Sequence, residues 1–522
     1  MRRILLALGT AAITAVWALP ASASPLTVTA PQLLSGPSPF APGCGGPSEG
    51  NFPGSNFNYQ NSETEPWIAV SPANPNDVAG MWQQDRWSDG GSHGLVAAVS
   101  HDGGATFADS APHFSNCAGG TAANGGGFGR SSDPWVSWAP NGDLWAASLS
   151  VDRTTPRNAV LAARLQHGAA TWSEPFTLKF DSSRTGIPLG NNFNDKESIT
   201  ADPTDEDGNL VYAVWDRFTS PNEHAPATAF ELARAFRGPV WFARTTSGAA
   251  VTPTWEKARM IYDPGNKSTT ISNQIVVLPD GTLVDGFMQF QKDGGVSIRV
   301  IRSADHGVTW SKRAILVSNV AAVGESDPEP INCRPFITGN PPCTVVRSDG
   351  VIIDLAVDPG TGRVYVAWQD HENNAFGDDA ILMSHSDDGG LSWSTPPQKV
   401  NQTPSGTFTD QAFEPAVHVN SGGVVAVSYY DFRNDVSGDR RLTTDHWIVH
   451  SHDGAATWSV SHLGGPFDLH QAPYSRGFFV GDYQGLDSQG TTFRTLFTMA
   501  SPGSDTVFPN PNPTDVFTNL AF

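Results

Sequence analysis

The segment SHDGGATF at 100–107 recurs along the chain, with its serine, aspartate, glycine, hydroxyl and aromatic residues at the same offsets. The other copies are SADHGVTW at 303–310, SDDGGLSW at 386–393 and SHDGAATW at 451–458, the last with Ala455 in place of glycine. A fifth segment, LQHGAATW from Leu165, has His167 where the others have aspartate. Such recurrence predicts a fold built from repeated structural units.

Each copy has the chemistry of a tight hairpin turn. The aspartate carboxylate accepts backbone N–H groups of the turn, and glycine adopts a backbone conformation that other residues resist. The aromatic residue that follows packs under a neighbouring strand. We therefore expect a structural role, not a catalytic one, for the aspartates of the four copies: Asp102, Asp305, Asp388 and Asp453.

The repeated pattern resembles the Asp-box, or BNR repeat, of sialidase-like β-propellers, and the resemblance extends over nearly the whole chain. It implies an all-β fold, a single propeller of four-stranded blades spanning 24–522. Apolar alternation predicts seven blades, although sialidase catalytic domains usually have six, and six is kept as the alternative. The first strands are expected to begin near Glu65, Asp133, Glu197, Asn273, Val351, Glu414 and Phe479.

The two chain ends are expected to share the last blade. The C-terminal region supplies three strand-like segments, and PLTVTAPQLL at 25–34 supplies a fourth. Pairing them would close the ring and remove the unpaired edges of an open array. The composition agrees with many short strands and turns, because the chain has 52 glycines, 40 prolines and 16 tryptophans.

The N-terminus has the features of an export signal. Residues 1–23 combine Arg2 and Arg3, a short apolar run and an Ala-Ser-Ala ending, which predicts a signal peptide cleaved near Ala23 and a secreted protein. No later segment is apolar for long enough to span a membrane. The formal charge of −21 argues against nucleic acid or an anionic membrane as a partner, and we expect a monomer.

The four cysteines of an exported chain suggest two disulfides. Cys333 and Cys343 bracket a proline-rich loop, which leaves Cys44 and Cys117 for each other, with free buried thiols as the alternative. We expect no nucleotide, redox cofactor or bound metal, since neither a phosphate-binding loop nor metal-ligand spacing occurs. A structural calcium ion is conceivable, but no EF-hand-like string supports it.

Propeller topology places the starts of first strands and the ends of second strands on one face, opposite the Asp-box turns. Acidic residues and arginines recur there in the strings QDR, VDR, WDR and YDFR. Such pairs suit recognition of a carboxylate or of sugar hydroxyls, or else they hold adjacent blades together. A lid is also expected on this face, from an insertion at 219–238 whose AFELARAF string predicts a short helix.

The resemblance implies a sialidase-like site on that face: arginines for the substrate carboxylate, a tyrosine nucleophile with a glutamate partner, and an aspartate acid/base. The catalytic candidates are Tyr430 or Tyr483, Glu414 or Glu197, and Asp195 or Asp216. The substrate-binding candidates are Arg86, Arg217, Arg433, Arg476, Asp85, Asp370, Tyr483 and Trp87. The same face also contains Glu65, Asp133, Lys196 and Asp482.

The sequence departs from the sialidase pattern, because no Phe- or Tyr-Arg-Ile-Pro segment occurs near the first blade. The function we expect is a secreted hydrolase resembling exo-α-sialidases that acts on extracellular glycoconjugates or polysaccharides. A glycosidase with two catalytic carboxylates is a variant of it. The alternatives are a non-catalytic propeller that binds a glycan or a protein, and a polysaccharide lyase using Tyr430, Arg433 and His371.

Overall fold

The computed structural model describes residues 24–46, 57–182, 192–219, 237–321, 326–331, 343–348, 350–371, 379–404, 409–439, 441–501 and 514–522. Side chains are described for all of these except 326–331 and 343–345. The predicted signal peptide at 1–23, the predicted helix within 219–238 and the predicted Cys333–Cys343 disulfide lie outside the described residues. Over the described ranges, no helix is both long and apolar enough to cross a membrane.

The described part of the chain is all-β, as predicted, with a 3₁₀ turn at Leu469–Gln471 and no α-helix. It contains five four-stranded sheets, one eight-stranded sheet and a two-stranded hairpin. The eight-stranded sheet has two halves of four strands each, which are joined by the single pairing of Ser92 with Ser131, and these halves are numbered here as sheets 1 and 2. The first strand of the chain is β1, at Gln32–Leu33. Sheet 1 contains β2 to β5, and sheet 2 contains β6 to β9. Their ranges are Asn58–Val70, Val78–Trp87, Ser92–Ser100, Ala108–Ser110, Arg130–Trp138, Leu144–Val151, Asn158–Leu165 and Phe176–Asp181.

Sheets 3 and 4 contain β10 to β17. Their ranges are Asn192–Ala201, Val211–Thr219, Val240–Thr245, Arg259–Tyr262, Thr269–Val277, Leu283–Phe290, Val296–Ser303 and Ile315–Val320. A separate hairpin follows, with β18 at Ser326–Ile331 and β19 at Cys343–Val345.

Sheets 5 and 6 contain β20 to β27, and sheet 7 contains β28 to β30. Their ranges are Asp354–Val357, Val364–Asp370, Ala380–Ser386, Gln398–Lys399, Ala412–Val419, Val425–Asp431, Thr443–Ser451, Ser459–Asp468, Gly485–Gln489, Thr492–Ala500 and Thr514–Ala521. β1 completes sheet 7, because Gln32 pairs with Thr518 and Leu33 with Phe517 in antiparallel register. The predicted pairing of the two chain ends is therefore observed.

The sheets contact one another through their first strands. β2 contacts β6, β6 contacts β10, and the series continues through β14, β20, β24 and β28, which in turn contacts β2. The apolar clusters lie between neighbouring sheets, for example Trp145 with Trp215 between sheets 2 and 3, and Met288 with Trp368 between sheets 4 and 5. Burying one such large side chain contributes roughly 1.5–3 kcal/mol, so these seams are the core of the fold.

The four repeated segments form the expected turns, each between the third and fourth strands of sheets 1, 4, 5 and 6. In the first, the Asp102 carboxylate accepts hydrogen bonds from the Thr106 backbone N–H at 2.9 Å and the Thr106 hydroxyl at 2.6 Å. The Ser100 hydroxyl accepts one from the Gly104 N–H at 2.8 Å. The same bonds recur around Asp305, Asp388 and Asp453.

One predicted disulfide is confirmed. Cys44 and Cys117 are bonded, with their Cα atoms 5.4 Å apart. The bond ties the segment that follows β1 to the loop between β5 and β6.

Five first strands carry a β-bulge at the same point of their length. At each register shift a residue other than glycine has a positive φ: 54° at Glu65, 56° at Asp133, 43° at Lys196, 68° at Ser272 and 49° at Glu414. Such residues normally avoid this conformation, and strain of this kind is concentrated at functional sites. A functional site is therefore expected close to these bulges.

Candidate functional site

A cavity of about 690 Å³ opens beside the bulges of β2, β6 and β10. Six carboxylates and six cationic side chains line it, together with Tyr483, Ser132 and a few apolar residues. The acids are Glu65, Asp89, Asp133, Asp152, Asp195 and Asp482. The cations are Arg86, Arg130, Arg153, Lys196, Arg347 and Arg476. A pocket with this balance of charge suits a polar ligand that carries its own charge or many hydroxyl groups.

The buried Glu65 is bonded to its neighbours on β3. Its carboxylate accepts a hydrogen bond from the Gln83 amide, whose oxygen accepts one from Arg86 at 2.7 Å. Burial raises the pKa of Glu65, and the nearby Asp133 raises it further, while Arg86 and Arg347 oppose the shift. A carboxyl group whose pKa is raised is a stronger base than an ordinary glutamate.

Arg347 enters the cavity from the segment before β20. Its backbone N–H donates to the Phe478 carbonyl at 2.9 Å, and its guanidinium donates to the Asp482 carboxylate at 2.6 and 3.2 Å. The guanidinium carbons of Arg86 and Arg347 lie 4.7 and 4.4 Å from the centre of the Phe479 ring. The two arginines are thus fixed around one aromatic ring, Arg86 by its hydrogen bond to Gln83 and Arg347 by its bonds to Asp482.

Tyr483 lies in the lining with its ring buried. Its hydroxyl donates to the Pro134 carbonyl at 3.1 Å. Burial raises the pKa of the Tyr483 phenol well above its usual value, and Glu65 is the first of four carboxylates that raise it further. The phenol is therefore protonated in the resting protein, and deprotonation during a reaction requires a base beside it.

Arg476 differs from the other arginines of the cavity because it is exposed. Its φ of 67° is again one that residues other than glycine avoid. Within the described ranges its guanidinium forms neither a hydrogen bond nor an ion pair. It is therefore available to a ligand, whereas the Arg130 guanidinium is bound to Asp89 at 2.8 Å.

Four of the predicted site residues meet in this cavity, namely Asp195, Arg86, Arg476 and Tyr483. The Asp195 carboxylate accepts the Lys196 backbone N–H at 3.1 Å, which the Asp133 carboxylate also accepts at 3.1 Å. β10 thereby holds two carboxylates at one edge of the cavity.

The other predicted catalytic residues lie away from the lining. The Tyr430 hydroxyl donates to the Thr498 carbonyl at 2.9 Å and accepts the Thr498 N–H at 3.0 Å, deep in the core between sheets 6 and 7. The backbone of Glu414 bonds to the side chains of Gln369 and Gln484. Glu197 and Asp216 are fully buried and do not line the cavity.

The remaining predicted ligand residues form internal contacts. Arg217 donates to Asp181 of sheet 2 at 2.6 and 2.8 Å, and Arg433 donates to Asp431 at 2.7 Å. Asp370 accepts the Trp368 indole N–H at 3.2 Å. Asp85 bonds to Ser38, Asn61 and His93, and the buried Trp87 ring is covered by the Arg130 guanidinium at 4.6 Å. The Arg217–Asp181 contact joins two neighbouring sheets, as the alternative role for the arginines predicts, whereas the Arg433–Asp431 contact lies within one short segment.

Sequence reasoning missed Arg347, and it assigned no role to Lys196 or Asp482. It named Glu65 and Asp133 only as candidate carboxylates of the alternative glycosidase with two catalytic carboxylates. Arg347 belongs to no Asp-Arg string, and only its position in an otherwise apolar approach to sheet 5 sets it apart. The other four stand at the starts of first strands, where acidic or basic residues before a hydrophobic run were the available signal.

No family model matches the chain, and no curated relative matches its sequence. Among solved structures, the Hadza microbial sialidase Hz136 is 15% identical, with a TM-score of 0.42, over 85% of this chain and 74% of that one. The Penicillium chrysogenum alpha-L-arabinanase complexed with arabinobiose is 12% identical, with a TM-score of 0.40, over 74% and 92%. The Trypanosoma rangeli sialidase is 10% identical, with a TM-score of 0.41, over 81% and 56%. Values this low assign no function to this chain.

Proposed function

We propose that this protein is a secreted, glycan-acting hydrolase resembling exo-α-sialidases, with its active site in the cavity lined by Glu65, Arg476 and Tyr483. The observation that carries the proposal is the meeting, in one cavity, of a buried glutamate, a tyrosine and an exposed arginine that has no partner among the residues the structure describes. A hydrolase needs a nucleophile, a base and a group that orients its substrate, and these three side chains supply them.

We place this site on a single seven-bladed β-propeller of the Asp-box type. The succession of contacts from β2 through β28 and back to β2 supports seven blades, and the pairing of β1 with β30 supports a closed ring. The four turns with identical hydrogen bonds support the Asp-box assignment. A six-bladed arrangement would leave one of the seven sheets outside the ring.

The reaction follows from the roles of three side chains. The Tyr483 hydroxyl attacks the anomeric carbon, and its proton passes to Glu65, whose raised pKa makes it an effective base. Asp195 protonates the leaving oxygen as its bond to the anomeric carbon breaks. Asp195 then removes a proton from the water that attacks the glycosyl-tyrosine, and Glu65 returns its proton to the Tyr483 oxygen as the bond from that oxygen to the anomeric carbon breaks. A tyrosine nucleophile is an established exception to the use of two carboxylates by glycosidases.

The substrate is a glycan that carries a carboxylate, such as a sialic or uronic acid. The exposed Arg476 guanidinium can donate two parallel hydrogen bonds to such a group. Arg86 and Arg347 add positive potential from behind, although each is already bonded within the protein. The overall negative charge and the disulfide agree with a monomer that is exported and acts on extracellular glycans.

The first experiment is hydrolysis of a fluorogenic sialoside, with uronides, arabinosides and other glycosides in parallel. We expect Tyr483→Phe to lower kcat by about 10³-fold or more, because it removes the nucleophile. Tyr430→Phe is the matched control, since it removes a phenol that lies outside the cavity, and its kcat per folded molecule should stay that of the parent protein.

Arg476→Ala should raise KM for substrates with a carboxylate and leave the hydrolysis of neutral glycosides unaffected. The control Arg313→Ala, at an exposed arginine, should leave KM unchanged for both kinds of substrate.

Each contrary outcome selects another function. Binding of a sialylated or uronate glycan without turnover would identify a non-catalytic propeller. Release of an unsaturated uronate product would identify a lyase. Full activity of Tyr483→Phe together with loss of activity in Glu65→Gln would replace the tyrosine by a carboxylate nucleophile.

A further inference from the structure

The Cys44–Cys117 disulfide lies against His93 of β4. One ligand atom from each of these three residues lies within 4.8 Å of the other two. His93 is buried, with 4% of its surface exposed, whereas both cysteines are half-buried. Two sulfurs and an imidazole nitrogen are a donor set that zinc favours.

The imidazole is oriented as a metal ligand would be. Its Nδ1 lies 2.9 Å from an Asp85 carboxylate oxygen, and because a carboxylate accepts, Nδ1 carries the proton. In the neutral imidazole the lone pair is then on Nε2, which is buried and has no hydrogen-bond partner among the described residues. A carboxylate behind a histidine fixes the tautomer and raises the basicity of the ligating nitrogen.

Asp85 is itself held in place. Its carboxylate accepts the Ser38 hydroxyl at 2.6 Å and the Asn61 backbone N–H at 2.8 Å, in addition to His93. Asp85, the aspartate of the QDR string, is thus not part of the cavity lined by Glu65, Arg476 and Tyr483. Its carboxylate instead holds the imidazole of His93 in place.

Contacts other than the disulfide keep both cysteine segments near His93. A side chain added at Gly45 would place its Cβ 2.7 Å from His93 Cδ2, so the turn that contains Cys44 packs directly on the ring. On the other side, the Ser115 hydroxyl donates to the His93 carbonyl, and the Ser115 carbonyl accepts the Ala118 N–H at 3.1 Å. We therefore expect the three ligands to remain together when the sulfur–sulfur bond is broken.

We propose that reduction of the Cys44–Cys117 disulfide converts this place into a Zn²⁺ site, with two thiolates and His93 Nε2 as ligands and water in the fourth position. The reductant is a thiol or phosphine, which supplies two electrons while two protons complete the two thiols. Binding of Zn²⁺ then releases both thiol protons. The disulfide and the metal site exclude each other, so the oxidised protein has no site. This inference is independent of the proposed glycan hydrolysis.

The test uses the full chain in its oxidised form and after reduction with a phosphine that is then removed under argon. We expect one equivalent of Zn²⁺ to remain on the reduced protein after gel filtration, and none on the oxidised protein. Co²⁺ as a probe should give the intense thiolate-to-metal absorption bands of a sulfur-ligated, tetrahedral site.

Asp85→Asn should weaken zinc binding by about 10- to 100-fold. Cys117→Ser should abolish the thiolate bands, and the exposed His101→Gln is the control that should change nothing.

Equal zinc retention by oxidised and reduced protein would overturn the proposal, as would cobalt binding without thiolate bands. Loss of the near-UV circular dichroism signal on reduction, with no recovery on adding Zn²⁺, would also overturn it. Zinc retention by reduced Cys117→Ser equal to that of the parent protein would also overturn it, because the metal would then be bound by the other two cysteines, Cys333 and Cys343. If that variant fails to fold, Asp85→Asn keeps all four cysteines, and a zinc affinity equal to that of the parent protein would overturn the proposal in the same way.

Discussion

The ammonium of Lys196 lies 4.0 Å from the centre of the Tyr483 ring and 4.1 Å from the centre of the Trp135 ring. Burial lowers the pKa of this lysine, and four surrounding carboxylates, led by Asp133 and Glu197, oppose that shift. Lys196 is therefore the cation that partly neutralises the acids behind the cavity, and it fixes the face of the tyrosine ring at the same time.

Replacing Lys196 by methionine tests this relationship. The variant keeps the apolar stem but leaves Asp133 and Glu197 without their buried cation, so we expect the free energy of unfolding to fall by about 3–5 kcal/mol. Urea denaturation measures the change. The exposed Lys257→Met should stay within about 0.5 kcal/mol of the parent protein. Equal stability of the two variants would contradict the neutralising role of Lys196.

Asp216 provides a pH-dependent test in the same region. Burial raises its pKa to about 7, while Thr270 and Asn273 bond to one of its oxygens at 2.7 and 2.5 Å. The folded protein thus keeps a proton that the unfolded chain loses above about pH 4. Stability from this group is complete below that pH and is lost as the pH rises to about 7.

Asp216→Asn has no carboxyl proton to lose. The variant should therefore lack the loss of stability that Asp216 causes as the pH rises to about 7. The free energy of unfolding of the variant, taken relative to that of the parent protein, should rise between pH 4.5 and pH 8. The rise is at most about 4 kcal/mol for a pKa that is shifted by about three units. Urea denaturation at the two pH values measures the difference, and the exposed Asp207→Asn is the control. A stability–pH curve parallel to that of the parent protein would show that Asp216 is ionised in the fold.

Short-range chemistry explains which parts of this structure could be predicted. Ser100, Asp102 and Thr106 determine their turn by hydrogen bonds within seven residues, so the turn could be recognised from sequence. Arg86 and Arg217 occupy equivalent places in QDR and WDR, yet Arg86 lines the cavity and Arg217 bonds to Asp181 on another sheet. Such partners are distant in sequence, and a local pattern does not contain them.

The turn at 386–393 provides a test of backbone conformation. Gly390 has a φ of 88°, and a Cβ there would be in ordinary contact with Val284 at 3.4 Å, so the cost of a side chain is conformational. Gly390→Ala should lower the free energy of unfolding by about 1 kcal/mol. Thermal denaturation measures it. Gly360→Ala, at a glycine without a positive φ, should be neutral or stabilising, and an equal loss in both variants would refute the argument.

The Tyr430 hydroxyl bonds to both backbone groups of Thr498, at 2.9 and 3.0 Å. It therefore joins sheet 6 to the edge of a strand in sheet 7. Tyr430→Phe leaves a buried N–H and a buried carbonyl without this partner, and we expect the free energy of unfolding to fall by about 1–3 kcal/mol.

Denaturation in urea measures that loss, and the activity of the folded fraction is measured alongside it. We expect unchanged activity per folded molecule, because the phenol is enclosed by Phe413, His446 and Phe467 and does not reach the cavity. A variant with the stability of the parent protein but no activity would reverse this assignment and make Tyr430, not Tyr483, the nucleophile.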